Sequence, residues 1–320
     1  MSSKRRGPAV AKRQLVLRLR RTRLAAKKSQ AEVAESLDWS ASKVLRIENG
    51  HVVVATSDLL ALMTLYGADE TYTSEMIDLS RSARKPSILG SYRDVLTPEF
   101  ADWLEHEAYA ARIRQYESKF IPGVLQTGDY AQSVVRAGLG REAPQERVNR
   151  IVESRLNREQ LLTGPDGPEV SFIVDESAVR RGIGHEDGRR DYADMISQLE
   201  QLKRLNTRGR RERQEEIEDD LNPNIGIQIV PFEMGSYQAL RGPFELLEFQ
   251  DPEDDNMVYF ENPDGDVVIR ETHDETAIYL DMFTELQKLL PSYASTDQYI
   301  DQVIELMEQG RNGVHAQLRR

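Results

Sequence analysis

One stretch near the amino terminus, residues 28–50, constrains the fold of this chain most strongly: it reads KSQAEVAESLDWSASKVLRIENG. Ser29 stands where a helix N-cap belongs, and Glu32 three residues later completes a capping box, so a helix is predicted to begin at Gln30. Its apolar positions repeat at the spacing of one helical face, and the small side chain of Ala34 allows a crossing helix to approach closely. The stretch therefore predicts a helix packed against a near neighbour.

A second short helix is predicted directly after the first. Residues 38–40 interrupt the first helix, and Ser40 can cap the next one. Val44 and Ile47 give the second helix its apolar side, and the Asn-Gly pair at 49–50 ends it because both residues tolerate the left-handed conformation. Two short helices joined by a tight turn predict a structure that binds DNA and recognises its base sequence.

The burial of that apolar side leaves four residues facing outward at the start and middle of the second helix: Ala41, Ser42, Lys43 and Arg46. A recognition helix presents these positions to base edges in the major groove. Arg46 can donate two hydrogen bonds to a guanine edge, whereas serine and lysine can contact either bases or phosphates. We predict these four residues as the base contacts.

Three further residues are predicted to contact DNA phosphates. Gln30, in the first turn of the preceding helix, is expected over the sugar-phosphate backbone, with Asn49 closing the far side. Ser40, between the two helices, is assigned to the same group. The alternative is a plain helical hairpin with a solvated, charged face. The caps, the small residue and the stop signal all stand at the offsets that the DNA-reading structure requires, which favours that structure.

Residues 16–67 resemble the Cro/C1-type (XRE) helix-turn-helix domain of phage repressors and many bacterial regulators. The resemblance rests on three segments: Gln30-Ala31-Glu32-Val33-Ala34, Arg46-Ile47-Glu48-Asn49-Gly50 and Leu65-Tyr66-Gly67. In relatives, the glutamate at the position of Glu48 often pairs with a first-helix arginine, so the resemblance implies a structural ion pair with Arg23. Ala41 departs from the family, where glutamine is common. Alanine can touch a thymine methyl group but cannot form a bidentate hydrogen bond, so discrimination depends on the other three outward residues.

Charge is distributed unevenly along the chain. The whole sequence has a net charge of −12, but residues 1–50 hold 13 Lys and Arg against 4 Asp and Glu, a net +9, which leaves −21 for residues 51–320. The basic segment can bind DNA through one face, while repulsion between like charges keeps the acidic remainder of the chain away from the phosphates. The run Lys4-Arg5-Arg6 is either a solvated tail or a phosphate-contacting arm, and both leave DNA affinity dependent on salt.

Composition argues against several other classes of protein. The sequence has no cysteine, which excludes disulfides and cysteine-bound zinc or iron–sulfur sites and fits a cytoplasmic protein. The five histidines are scattered without metal-ligand spacing, and we expect neither a metal nor a cofactor. No apolar run reaches the roughly 18 residues of a membrane span, and no apolar signal core follows the basic start.

The length of 320 residues suggests two domains. We predict a basic flexible arm at 1–12, the helix-turn-helix domain at 13–80, a linker at 81–96, a C-terminal regulatory and dimerisation domain at 97–310 and a tail at 311–320. A long helical pattern from Thr97 includes Ile113 and ends before Ile121. Further helices are predicted at 56–66, 125–138, 145–162, 189–205, 273–289 and 296–309.

Strand signals are confined to short β-branched or aromatic runs bounded by turn residues. They predict strands at 170–174, 225–230, 244–249, 257–260 and 267–269. The last three follow one another closely, which indicates an antiparallel meander. The predicted fold is α+β overall: an all-α helix-turn-helix domain followed by an α+β domain with a small, mainly antiparallel sheet.

Residues 98–308 resemble the large domain that follows an XRE reader in actinobacterial regulators of the WhiJ/AbaA type, also described as antitoxin-like. The most specific matching segment is Ile121-Pro122-Gly123-Val124-Leu125-Gln126-Thr127; others are Leu104-Glu105, Glu107-Ala108, Tyr130-Ala131, Arg155-Leu156, Arg158, Val174-Asp175-Glu176, Ile229-Val230-Pro231-Phe232, Gly242-Pro243-Phe244 and Val258-Tyr259-Phe260-Glu261. The resemblance implies regulation of transcription, with a small acidic partner protein that binds the C-terminal domain. Residues 204–222 are charge-dense and longer than the loop expected in relatives, so a flexible surface insertion is predicted there.

Catalytic patterns are weak. Adjacent carboxylates at Asp175 and Glu176 point to opposite faces of a strand or serve as helix caps. Glycines at 182, 184 and 188 do not form a dinucleotide-binding fingerprint, and His185-Glu186-Asp187 is better explained as a solvated loop than as a metal site. We predict no catalytic residue and no enzyme activity.

Two functions of different classes remain. The first is a sequence-specific transcriptional regulator that binds double-stranded DNA as a homodimer, at an inverted-repeat operator with half-sites about one helical turn apart. The second is an antitoxin-like interaction module that sequesters a small partner protein, with DNA binding secondary. An enzyme tethered to DNA is a third possibility, and it requires a pocket with perturbed titratable groups.

Overall fold

The computed structural model describes residues 7–85, 92, 94–140, 142–165, 167–183, 192–250, 254–261 and 267–317. They fall into two compact units: Met1–Arg93 with Ala101–Tyr109, and Asp94–Phe100 with Ala110–Arg320. Helix α6 (Pro98–Glu107) crosses this division. Most of α6 therefore belongs to the first unit, whereas the sequence placed the start of the C-terminal domain at residue 97.

Five helices are described between residues 7 and 85: α1 (Pro8–Ala25), α2 (Gln30–Ser36), α3 (Ala41–Glu48), α4 (Thr56–Tyr66) and α5 (Glu70–Ser82). All five contribute apolar side chains to one core, which includes Leu15, Leu19, Val33, Val44, Ile47, Leu59, Leu62, Met76 and Leu79. Helix α1 packs against α3 and α5. Because the core is shared, none of these short helices has to be stable by itself.

Helix α1 begins inside the segment predicted as a flexible arm. Pro8 occupies the first helical turn, where its missing N–H is not needed and its fixed φ suits a helix. Val10 and Ala11 are buried in the next residues. Since these contacts fix residues 8–12, the predicted arm at 1–12 is wrong for this portion, and Lys4-Arg5-Arg6 lies outside the described residues.

His106, in α6, is half-buried, and its imidazole is neutral near pH 7. Its Nδ1 lies 2.7 Å from the Asp102 carbonyl oxygen and donates to it, whereas its Nε2 is buried without a hydrogen-bond partner among the described residues. Burial lowers the pKa of His106 to about 4, and the charges of Arg13 and Lys12 act in the same direction. Protonation in the folded state is therefore costly.

The low pKa of His106 predicts that the first unit loses stability in mild acid. The unfolded pKa is about 6.5, so stability is complete above that pH and falls as pH drops toward 4. We expect the free energy of unfolding to fall by roughly 1 to 2 kcal/mol between about pH 7.5 and about pH 5. Both tryptophans, Trp39 and Trp103, belong to the first unit, so urea unfolding followed by tryptophan fluorescence measures it. His106→Phe should remove most of this pH dependence; an unchanged dependence contradicts the assignment.

The second unit is built on a mixed sheet of six described strands. The strands are β1 (Arg112–Glu117), β2 (Glu169–Asp175), β3 (Ile225–Val230), β4 (Phe244–Glu248), β5 (Met257–Glu261) and β6 (Val267–Arg270), in the spatial order β3-β2-β1-β4-β5-β6. The pairs β3-β2 and β2-β1 are parallel, and the other three pairs are antiparallel. The predicted α+β class and antiparallel meander are confirmed, and the parallel half was not predicted.

The long helix predicted from Thr97 through Ile113 is wrong at its end, where the chain forms β1, one of the two central strands of the sheet. Helix α6 ends at Glu107 and the chain becomes extended at Arg112. The buried residues of β1, Ile113 and Tyr116, are three positions apart, a spacing that also suits a helical face. Strands β2 and β4 pair with β1 on both sides, and these long-range hydrogen bonds determine the extended conformation.

Seven α-helices are described after β1: α7 (Gly128–Leu139), α8 (Gln145–Thr163), α9 (Glu176–Arg180), α10 (Ala193–Leu205), α11 (Thr207–Glu212), α12 (His273–Leu289) and α13 (Tyr293–Gln317). Helix α12 packs on β4 and β5, and α10, α11 and α13 pack on β3. Helix α13 extends to Gln317, into the segment predicted as a tail. The predicted helices agree with these elements except for α9 and α11, which were not predicted.

The segment that carried the C-terminal resemblance, residues 121–127, is a hydrogen-bonded corner. Gln126 Nε2 donates to the Ile121 carbonyl at 2.7 Å, and its Oε1 accepts from Arg155 Nη1 at 2.8 Å. Gln198 of α10 accepts from the Thr127 N–H at 2.7 Å and donates to the Leu125 carbonyl at 2.6 Å. These side chains satisfy buried backbone groups between β1 and α7, so the segment acts in folding.

Residues 204–222 are packed at both ends, so the predicted flexible insertion is wrong there, whereas residues 211–220 between them lie mostly at the surface. Thr207 and Asn222 are fully buried, and the Thr207 hydroxyl donates to the Asn222 carbonyl at 2.9 Å. Arg208 contacts Glu169 at 2.7 Å, and Arg213 contacts Asp297 at 2.7 Å. The charge density was misinterpreted because Arg208 and Arg213 have carboxylate partners on distant elements.

The adjacent carboxylates at 175 and 176 have structural roles. Asp175 accepts from the Ser177 N–H at 2.8 Å and so caps α9, as one of the two sequence interpretations predicted. Glu176 accepts from the Phe232 N–H at 2.7 Å. Residues 184–188, which include His185-Glu186-Asp187, lie outside the described residues. No helix within the described ranges is both long and apolar enough to cross a membrane.

Candidate nucleic-acid interface

The first helix of the predicted reader starts where the sequence placed it. Helix α2 begins at Gln30, and Ser29 Oγ accepts from the Glu32 N–H at 3.2 Å. In return, the Glu32 carboxylate accepts from the Ser29 N–H at 2.7 Å. These hydrogen bonds from Ser29 hold the pKa of Glu32 below its usual range. The reciprocal pair is the predicted capping box.

The turn between α2 and α3 depends on local backbone conformation. Asp38 has a φ of 53°, which is the left-handed region, and the Trp39 N–H donates to the Ala34 carbonyl at 2.8 Å. Ser40 Oγ then accepts from the Lys43 N–H at 3.2 Å and caps α3. Together these interactions fix the direction in which α3 leaves the turn.

Gly50, directly after α3, is required for two reasons. Its φ is 67°, a conformation that side chains other than glycine adopt at a cost. A Cβ at this position would also lie 3.2 Å from Val16 Cγ2 of α1. The predicted end of the second helix is therefore confirmed, and Gly50 lets the chain pass close to α1.

Helix α3 has one buried side and one exposed side. Val44, Ile47 and Glu48 are buried, whereas Ala41, Ser42, Leu45 and Arg46 are exposed. The sequence did not single out Leu45, an apolar residue that is 46 % exposed. The outward face thus presents a hydroxyl, a guanidinium and two apolar side chains at one helix surface.

A buried ion pair links α1 to α3. Arg23 Nε lies 2.7 Å from Glu48 Oε1, and Arg23 Nη2 lies 3.1 Å from Glu48 Oε2. The two side chains are only 11 % and 3 % exposed, and the hydrogen bond that Arg23 donates to Glu48 raises the pKa of Arg23. Gln30 Nε2 donates to Glu48 Oε2 at 2.8 Å. The amide predicted to contact phosphate is therefore engaged in this network.

Four other predicted contacts have partners within the unit, and two of them are Ser40 and Ser42, whose hydroxyl oxygens lie 3.2 Å apart. Asn49 Oδ1 accepts from Arg20 Nη2 at 2.8 Å. Lys43 Nζ lies 2.9 Å from Asp58 Oδ2 of α4 and 3.7 Å from the centroid of the Trp39 ring. The outward face therefore has Ser42 and Arg46 as its principal exposed polar groups.

Arg20 is a candidate contact that the sequence argument missed. It is exposed on α1 and its guanidinium reaches the C-terminal end of α3 through Asn49. The signal was present, because Arg20 stands one helical turn before Arg23, whose pairing with Glu48 places that side of α1 beside α3. No group of acidic or histidine side chains suited to a metal is found among the described residues.

Comparison with known proteins also divides the chain into two parts, but it places most of α6 in the second part. Residues 14–76 match a family model described as a helix-turn-helix domain. Residues 100–214 and 217–302 match a model described as a domain of unknown function, DUF5753. The chain belongs to the DUF5753 family. No curated protein and no solved structure matches it.

The two family matches have separate consequences. The helix-turn-helix match covers α1 from residue 14, all of α2 to α4 and residues 70–76 of α5, and it supports a DNA-binding regulator. The DUF5753 match omits only residues 215–216 from the charge-dense segment 204–222. That segment is therefore largely shared with the family, which agrees with the contacts of Arg208 and Arg213 to distant elements.

Proposed function

We propose that this DUF5753 protein is a sequence-specific transcriptional regulator that inserts α3 into the major groove of DNA. The observation that carries the proposal is the division of α3, whose inward residues are buried in the shared core while Ser42 and Arg46 are exposed on the outer side. A rigid helix with exposed hydrogen-bonding side chains can enter the groove without rearrangement.

The electrostatics of the first 50 residues support this orientation. That segment has a net charge of +9, whereas residues 51–320 carry −21. Phosphates attract the basic segment and repel the acidic remainder, so DNA approaches α3 and not the DUF5753 domain. The proposal assigns no catalytic step and no cofactor to the chain.

We further propose that the reader acts as a homodimer of the Cro/C1 type. The chain that follows α3 exposes Val52 and Val53, and α4 exposes Leu60. Exposed apolar groups beside a recognition helix are suited to self-association, and two-fold symmetry then requires an inverted-repeat operator.

Selection of bound duplexes from a random pool tests both parts of the proposal. We expect the full-length protein to enrich an inverted repeat whose half-sites are about 10 bp apart, and to bind it with two chains per duplex. Enrichment of a single unrepeated site would contradict the dimer. Absence of any enriched sequence would contradict sequence-specific reading.

Arg20→Ala tests a phosphate contact that flanks α3. We expect operator and unrelated duplexes to lose affinity by a similar factor of about 3 to 10, and the slope of log affinity against log salt to become shallower by about 0.9. Filter binding over a salt series measures both quantities. Arg81→Ala, an exposed arginine of α5 that is 68 % exposed, is the control and should change neither. A loss confined to the operator would indicate base contact instead.

A second candidate function, the antitoxin-like interaction module, is favoured by the carboxyl edge of the parallel strands. Loops after β1, β2 and β3 meet there: Ser177 donates to the Ser118 carbonyl at 2.7 Å, and the Phe232 N–H donates to Glu176. Phe232 is 57 % exposed at this edge.

The same edge also carries exposed Phe120, Lys119 and Arg181. Apolar rings beside cations fit a small acidic partner protein, and binding of such a partner would give the acidic domain control over DNA binding. Affinity capture of the full-length protein from a native extract tests this function. A small acidic protein that stays bound at equal stoichiometry after nuclease treatment would favour it, and loss of all partners after nuclease treatment would oppose it.

A further inference from the structure

Lys43 is the one predicted base contact whose charged group is occupied by two groups of its own unit. Asp58 lies in the first turn of α4, and its Oδ2 is 2.9 Å from Lys43 Nζ. The face of the Trp39 ring lies 3.7 Å from the same ammonium. The side chains of Lys43 and Asp58 are 32 % and 28 % exposed, so the pair lies at the surface.

Both partners are placed by secondary structure. Trp39 is in the turn before α3, where its N–H is bound to the Ala34 carbonyl. Asp58 is at the N-terminal end of α4, where the helix dipole favours a negative charge. The carboxylate and the ring therefore stand in fixed positions, and it is the flexible lysine that comes to them.

The position of this pair has a consequence for DNA recognition. A free lysine beside the groove would attract phosphates of any sequence, because phosphate contacts add affinity without reading bases. Lysine held by a carboxylate adds little attraction, and the carboxylate itself repels phosphates that approach.

We infer that Asp58 is a specificity-determining residue of the DNA interface, a conclusion that rests on the proposed function. Asp58 neutralises Lys43 at the edge of α3 and so lowers affinity for unrelated DNA. Base choice then depends on Arg46 and Ser42, which remain exposed. From the sequence, Lys43 was predicted to contact bases. Its contact with Asp58 instead means that the pair mainly lowers affinity for unrelated DNA.

Asp58→Asn in the full-length protein tests the inference, with the selected operator and a scrambled duplex as probes. We expect affinity for the scrambled duplex to rise about fivefold at low salt, with a slope against log salt that is steeper by about 0.9. The operator should gain less, so the ratio of the two affinities should fall about threefold. Asp78→Asn makes the same charge change on α5, at an aspartate that is 71 % exposed, and should leave the ratio unchanged.

Two further variants separate recognition from folding. In a Lys43→Met background, Asp58→Asn should no longer change the ratio, since the cation that it releases is absent. Lys43→Met alone should weaken binding to the scrambled duplex by less than about twofold, because this cation contributes little while it is paired. Tryptophan fluorescence in urea should show the same unfolding midpoint for Asp58→Asn and Asp78→Asn.

The outcomes distinguish the inference from the function on which it rests. If the wild-type protein binds operator and scrambled duplex equally, the proposed function fails. If the wild type discriminates but Asp58→Asn behaves like Asp78→Asn, the inference is overturned. Equal strengthening on both duplexes, or a large loss of scrambled-duplex binding in Lys43→Met, overturns it as well.

Discussion

Replacement of Glu48 by alanine should unfold the helix-turn-helix under conditions in which the wild-type unit is folded. The guanidinium of Arg23 is held by two hydrogen bonds to Glu48, with both side chains almost fully buried. Removal of one partner of a buried ion pair leaves an uncompensated charge, at a cost of about 3 to 5 kcal/mol. That loss is a large part of the stability of a small domain.

Urea unfolding followed by tryptophan fluorescence measures this loss, because both tryptophans belong to the first unit. Glu35→Ala, at an exposed glutamate on α2, is the control and should alter the free energy of unfolding by less than about 0.5 kcal/mol. Arg23→Met with Glu48→Leu should recover much of the lost stability, since a well-packed apolar pair can replace a buried ion pair. A Glu48→Ala protein as stable as the control would show that the pair contributes little.

Arg46→Ala should lower affinity for the selected operator by about 10- to 100-fold, which corresponds to one bidentate contact to a base pair. Affinity for a scrambled duplex should fall much less, because the loss concerns base reading. Arg46 is exposed on the outer side of α3, so the unfolding midpoint should not change. Competition binding at fixed salt, with labelled operator and unlabelled scrambled duplex, measures the two affinities together.

The matched control for Arg46 is Arg46→Lys, which retains the charge and loses the planar fork. It should behave like the alanine variant on the operator and like the wild type on the scrambled duplex. If Arg46→Lys binds the operator normally, the contact is made to phosphate and α3 is oriented differently from our proposal. If Arg46→Ala also binds normally, α3 is not the recognition helix.

Local sequence signals were sufficient for α2 and α3. The capping box at Ser29 and Glu32, the cap at Ser40 and the stop at Gly50 each act within one helical turn, and the structure has all of them. The Arg23–Glu48 pair was implied by family resemblance alone. The sequence did not show which outward side chains already have partners within the unit. Lys43 is paired with Asp58 on the next helix, and a sequence pattern predicts only that the lysine points outward.

In the second unit, local signals identified β2 to β6 but not β1. Ile113 and Tyr116 are spaced as on a helix, and only pairing with β2 and β4 makes the segment extended. In residues 204–222, local signals likewise did not show which charged side chains form ion pairs. Arg208 and Arg213 are neutralised by Glu169 and Asp297, which are far away in the sequence, so charge density alone suggested a solvated loop.

The pairing of β1 with β4 also sets an order for biosynthesis. Arg114 in β1 and Glu248 in β4 are hydrogen-bonded across 134 positions of the chain. During translation, β1 leaves the ribosome long before its antiparallel neighbour exists, whereas all segments of the first unit lie within the first 109 residues. The nascent chain therefore holds a folded DNA reader beside a strand with a bare hydrogen-bonding edge, and that edge is where chaperones or aggregation would act first.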